Sequence, residues 1–129
     1  MIFTRENCKP IESPTGAQVA RAISLTKASF SALTSADGAY VQAAGGPGLF
    51  FIEWRDATGR HHRGSQVTPV VPFPDGTPLS FSAGSVELAS NEWFFAAQVN
   101  DVFGAFLAGK AFPSWLRWSV LSAGYTRAG

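Results

Sequence analysis

The chain predicts an α+β fold: an antiparallel or mixed sheet with one long C-terminal helix and a shorter N-terminal helix packed on one face. Three observations carry this expectation. Residues 49–52, Leu-Phe-Phe-Ile, are an unbroken apolar run that leads into Glu53 and Trp54, as in a central strand covered on both faces. Phe95, Val99, Val102 and Phe106 step by four, three and four residues, the stripe of a helix lying on a sheet. Beyond Pro113, the residues Leu116, Trp118 and Val120 alternate with polar neighbours, the period of a closing strand.

The remaining elements follow in chain order. Residues 1–14 carry polar side chains and two prolines and read as an extended arm or irregular cap. Thr15 is placed to cap a first helix over 15–28, with Val19, Ala22 and Ile23 on its apolar side and Phe30 and Leu33 extending the stripe. Asp37-Gly38 is a turn, residues 39–43 are a short strand, and Gly45-Gly46-Pro47-Gly48 is a second turn. Asp56-Ala57-Thr58-Gly59 turns the main strand into a more polar return strand over 60–67. Pro69, Pro72, Pro74 and Pro78 exclude a central strand from the next stretch, and short edge strands are expected at 79–83 and 86–88 around Gly84. The main helix is expected over 91–108, with Ser90 as its cap, Glu92 in its first turn and Gly109 as its left-handed terminator.

With 129 residues the chain is sized for one domain. Apolar residues make up 46% and charged residues 15%, too apolar a balance for disorder. A formal net charge of +1 gives no nucleic-acid footprint, and the basic cluster Arg55, Arg60, His61, His62 and Arg63 surrounds a hairpin turn. The single cysteine, Cys8, excludes an internal disulfide. Thr4, Arg5 and Glu6 interrupt any signal-peptide core, and no apolar run approaches the roughly 18 residues of a membrane span. A cytoplasmic protein is the expectation.

No chemistry-bearing constellation stands out. A nucleophilic triad would have to draw on Cys8 or Ser65 with His61 or His62, yet both histidines share one turn and no Gly-x-Ser-x-Gly elbow is present. Adjacent histidines on a strand point to opposite faces, and neither Cys-x-x-Cys nor His-Glu-x-x-His occurs, so no metal is expected. The zinc-deaminase pieces His-x-Glu and Pro-Cys-x-x-Cys are missing. The glycine turn at 45–48 lacks the lysine of a phosphate loop. Glu53, Asp56, Asp75, Glu87, Glu92 and Asp101 are scattered, without a sign of a paired-carboxylate cleft. Neither a cofactor nor catalytic residues are expected.

Over residues 38–121 the order of elements resembles the immunity protein 1 family of bacterial polymorphic toxin systems. The hydrophobic strand Leu49–Trp54 is followed by an acidic-Gly turn and a return strand. A Phe-x-x-Gly-Ser segment at 81–85 leads through Val86 and Leu88 into the helix. Phe106-Leu107 then precedes Pro113 by six residues and the closing Leu116-x-Trp118. The resemblance implies an antitoxin: a non-enzyme that binds a cognate toxin domain, of the deaminase superfamily, and blocks its active site or substrate groove. The partner is then a protein, without direct contact to nucleic acid or membrane, and the free chain is a monomer or weak homodimer. This chain lacks the strong acidity of some relatives, so affinity must rest on aromatic and hydrogen-bonding anchors rather than field steering. The expected contact surface is the sheet face away from the main helix with its loops: Glu53, Trp54, Asp56, Arg60, His61 and His62, with Trp93 and Trp115 as outer anchors. Trp54 is equally suited to the core, and Trp118 is assigned there beside Leu116. The alternatives are a small ligand-binding or enzymatic α+β domain and a homo-oligomeric module.

Overall fold

The computed structural model describes residues 1–121. It is an α+β protein whose main sheet is antiparallel at every pairing. Along the chain run β1 (Ile2–Arg5), β2 (Ile11–Glu12), α1 (Gly16–Leu25), β3 (Ser29–Thr34), β4 (Tyr40–Gly45), β5 (Leu49–Arg55) and β6 (His61–Gln66). The second half holds β7 (Thr77–Phe81), β8 (Gly84–Leu88), β9 (Phe94–Phe95), α2 (Ala96–Ala108) and β10 (Leu116–Val120). The sheet order is β10-β6-β5-β4-β3-β1-β2, with β9 added to β5, while β7 and β8 form a separate hairpin.

Pleating divides the sheet into two faces. Phe3, Leu33, Val41, Ala43, Phe50 and Ile52 pack with Val19, Ala22 and Ile23 of α1 and Val99, Val102 and Phe103 of α2. The two helices therefore share one face, as expected. On the other face Ala44 and Phe51 meet Leu88, Trp93 and the side chains of the β7–β8 hairpin. That second layer covers only one end of the reverse face. The sheet face opposite the helices is thus partly closed, and β7 and β8 are a cover rather than edge strands of the main sheet.

Several expectations are corrected. Residues 1–14, expected as an extended arm or irregular cap, contribute to the sheet: β1 pairs with β3 from Ile2↔Thr34 to Arg5↔Ser31, and Phe3 is wholly buried against Phe103. Helix α1 begins where expected, with a reciprocal capping box between Thr15 and Gln18. It stops at Leu25 rather than 28, because the chain turns into β3 and carries Phe30 and Leu33 into the sheet. The second helix covers 13 residues, not the whole of 91–108. Phe94 and Phe95 pair as a strand with Phe50 and Leu49, so the helix starts only at Ala96. Ser90 is not its cap: its N–H donates to Asp75 Oδ1, and Glu92 Oε1 accepts the Ala89 N–H instead of sitting in a first turn. Gln98 takes over, accepting the Phe95 N–H at 3.0 Å and exchanging hydrogen bonds with the buried Gln66 of β6. Gly109 does end the helix in the left-handed conformation, φ 66°.

The bend between α1 and β3 needs Gly46. A Cβ there would lie 2.3 Å from the Thr26 carbonyl oxygen, and its φ of 91° is unfavourable for any other residue. Packing between helix and sheet is the main stabilising contact. Phe103→Ala, which empties the centre of the helix layer, is expected to cost about 3–5 kcal/mol in urea unfolding. Leu25→Ala, at a side chain that is 65% exposed, is expected to stay within about 0.5 kcal/mol of the parent.

Candidate functional site

Where α2 terminates, several half-buried aromatic rings meet. After Gly109 the chain doubles back, and the Lys110 N–H bonds to the Ala105 carbonyl at 2.9 Å. This return brings Phe112 beneath β5. Trp54, last of the helix-facing residues on β5, contacts Phe112 with ring centroids 5.2 Å apart and Trp118 at 5.3 Å. His62, directly across the ladder from Trp54, stacks on it at 4.5 Å and 24°. Four rings from β5, β6, β10 and the post-helix turn thus form one cluster, and aromatic pairs at such spacings add to simple area burial.

Beside the cluster opens a groove of about 320 Å³. Trp54, Phe106 and Phe112 form its apolar wall, Ala57 and Ala39 its sides, and Asp37 and Lys110 bring opposite charges to its lining. The hairpin turns around it are held rigid by their own carboxylates. Asp37 Oδ1 accepts from the Ser35 hydroxyl and from the Ala39 N–H at 3.0 Å, which lowers its pKa, the Ser35 bond contributing most. Asp56 Oδ1 accepts from Thr58 N–H (2.9 Å), Thr58 Oγ1 (2.5 Å) and Arg60 N–H (3.1 Å). Its Oδ2 lies 2.9 Å from His62 Nε2, so the imidazole donates there. These bonds, the Thr58 hydroxyl first and His62 second, hold the Asp56 carboxyl well below the usual carboxylate range.

The eight residues singled out from sequence fall into separate places. Trp54, Asp56 and His62 come together at the groove end, but on the helix-covered face rather than the reverse one. Arg60 is exposed at the hairpin tip. Glu53 and His61 lie on the reverse face. Glu53 is 2% exposed and accepts from Arg63 at 2.9 and 3.3 Å and from Gln42 at 3.3 Å. His61 Nδ1 is 3.4 Å from the Tyr40 hydroxyl. Trp93 is 3% exposed, edge-on to Phe73 in the second layer, and so offers no outer anchor. Trp115 is half-buried against Phe94. Phe106, Phe112, Lys110 and Asp37 were not singled out as binding residues. The signal for the first three was the Gly109 terminator with Pro113 after it, which forces the chain back past the helix end.

Among the described residues, no group of three or more His, Cys, Asp or Glu side chains is placed to hold a metal ion, and no helix is long and apolar enough to cross a membrane. No protein-family model matches the chain, and no curated protein matches it in sequence.

The depressed pKa of Asp56 fixes the sign of a pH dependence. Its contribution to stability is present above the unfolded aspartate value of about 3.9 and is lost as pH falls through the folded value. Asp56→Asn is therefore expected to lower the urea midpoint at about pH 7 and pH 5, and the gap to the parent should narrow toward about pH 3. A gap independent of pH would show that the carboxylate's charge is irrelevant to the hairpin.

Proposed function

We propose that the chain is a binding protein that seats a partner protein on the groove end. The observation that carries this is the Trp54–Phe106–Phe112 wall beside Asp37 and Lys110, an apolar anchor site within a charged surround. Interfaces derive most of their affinity from such aromatic pockets, with charged rims tuning encounter and register. The partner we infer is a cognate bacterial toxin domain of the deaminase superfamily, on the strength of the resemblance to immunity protein 1. The chain would neutralise it by stoichiometric occlusion of its active site or substrate groove, in the cytoplasm, without performing a reaction. With a net charge of +1, long-range steering contributes little, and shape and aromatic contact dominate.

The groove volume also favours a second reading. About 320 Å³ is at the lower end of small-molecule sites, which run from about 300 to 1,000 Å³, so a small apolar ligand would fit. Co-purification separates the two readings, and the exposed Ala57, which lines the groove and packs in no core, tests whether the groove is the contact. On the antitoxin reading the toxin is encoded beside this chain's own gene, and co-expression with that neighbour's product is expected to yield a one-to-one complex. Ala57→Arg should weaken it by about tenfold or more in calorimetry, roughly 1.4 kcal/mol, with the thermal midpoint unchanged. Failure to co-purify, together with ligand binding or turnover by the isolated chain, would overturn the antitoxin reading.

A further inference from the structure

A second site lies on the opposite side of the molecule, where α1 ends above β1 and β3. Two adjoining clefts of about 180 and 210 Å³ open there, sharing Arg5, Ala22 and Leu25. Arg5 and Ser31 are directly opposed in the β1–β3 ladder and both line the first cleft. Ser31 is only 1% exposed, and its Oγ has no hydrogen-bond partner. Arg5 Nε is likewise buried without a partner, while its guanidinium is held 5.7 Å from the Phe3 ring. Burying polar groups unpaired is costly, and two facing one cleft mark a position prepared for a hydrogen-bond acceptor.

The charges around these groups have one sign. Lys27 joins Arg5 in the first cleft and Arg21 joins it in the second, and neither cleft is lined by Asp or Glu among the described residues. The C-terminal end of α1 overlooks them, and its dipole opposes an anion, but two of its end carbonyls are already bonded. Thr26 Oγ1 donates to the Ala22 carbonyl at 2.9 Å and the Thr26 N–H to that of Ile23 at 3.2 Å, so the counter-charges Arg5, Lys27 and Arg21 outweigh what remains of the helix end's negative pole.

We propose that this cleft binds a small phosphate group, as the free ion or a small monoester. Arg5 and Ser31 are the direct donors, and Lys27 and Arg21 are the surrounding counter-charges. A phosphomonoester carries about −1.5 to −2 near neutrality and presents several acceptor oxygens, matching three cations and a hydroxyl better than a singly charged carboxylate does. A water occupies about 30 Å³, so the first cleft holds a phosphate-sized group with solvent to spare.

Cys8, the single cysteine, lines the same cleft and is exposed, which gives a direct readout. Maleimide labelling of the full chain should become roughly tenfold slower when inorganic phosphate is at about ten times its dissociation constant. Acetate at matched ionic strength should protect far less. Running glycerol phosphate in parallel tells whether the ester or the free ion is preferred. Arg5→Met, which keeps the stem over Phe3, and Ser31→Ala should each abolish the protection. Should Arg5→Met fail to fold, Ser31→Ala and the exposed Lys27→Met decide the question. Protection no greater than that by acetate, or protection that survives in the folded variants, overturns the proposal. This test needs no toxin partner, so its outcome is independent of the groove's function.

Discussion

The fold depends on β5 being covered differently along its length. Its first four residues are apolar on both faces, and each face has its own cover. Phe50 and Ile52 face the helices, while Phe51 faces the β7–β8 layer. At Glu53 the second layer ends and polarity changes at once. A carboxylate that is almost fully buried must be paired, and Arg63 from β6 and Gln42 from β4 supply the bonds. Arg63 also lies over the Phe51 ring at 5.2 Å, so the pair closes the boundary between the apolar and polar halves of the face. At Trp54 the helix cover runs out in turn. Its ring lies half-buried because α2 has already ended at Ala108, and its cover there comes from the returning Phe112 together with His62 and Trp118 of the neighbouring strands. The groove thus follows from the length mismatch between strand and helix.

Where local pattern and tertiary environment agree, the fold was legible in the sequence. The apolar run of β5, the Asp-Ala-Thr-Gly turn, the Thr15 cap and the Gly109 terminator each depend on neighbours a few residues away. What escaped depends on distant partners. Phe95 fits the helical stripe of Val99 and Val102, but Leu49 offers its edge to it, and strand pairing prevails over period. β3 was obscured because Ser29, Ser31 and Thr34 are weak strand signals by themselves; the pairings with β1 and β4 make the strand. β1 looked like an arm for the same reason.

The same distinction governs the candidate site. That His62 and Trp54 share a face follows from the hairpin register, which the Asp56 turn sets. Which face that is cannot be read from β5 alone, since Phe50, Phe51 and Ile52 leave both sides apolar. Trp93, expected as an outer anchor, falls within the 91–108 stretch expected to be helical. Once the helix starts at Ala96, the preceding residues are an extended segment, and Trp93 turns into the second layer with Phe73. The helix boundary thus decides which layer Trp93 enters.

Accounting for polar groups separates residues that build the fold from those left for a ligand. Asp56 and Glu53 carry the chemistry a sequence reader looks for, yet both oxygens of Asp56 and both of Glu53 are occupied by neighbours that hold a turn or a ladder in place. A carboxylate in that position is poorly placed to recognise anything else without loosening its own loop. Arg5 and Ser31 are the reverse. They sit in a stretch of unremarkable composition, but the β1–β3 register sets them side by side with donors that the protein does not use. Such unused capacity has no signature in a single sequence, because it arises only when two strands from different parts of the chain are brought together and the helix above them stops short.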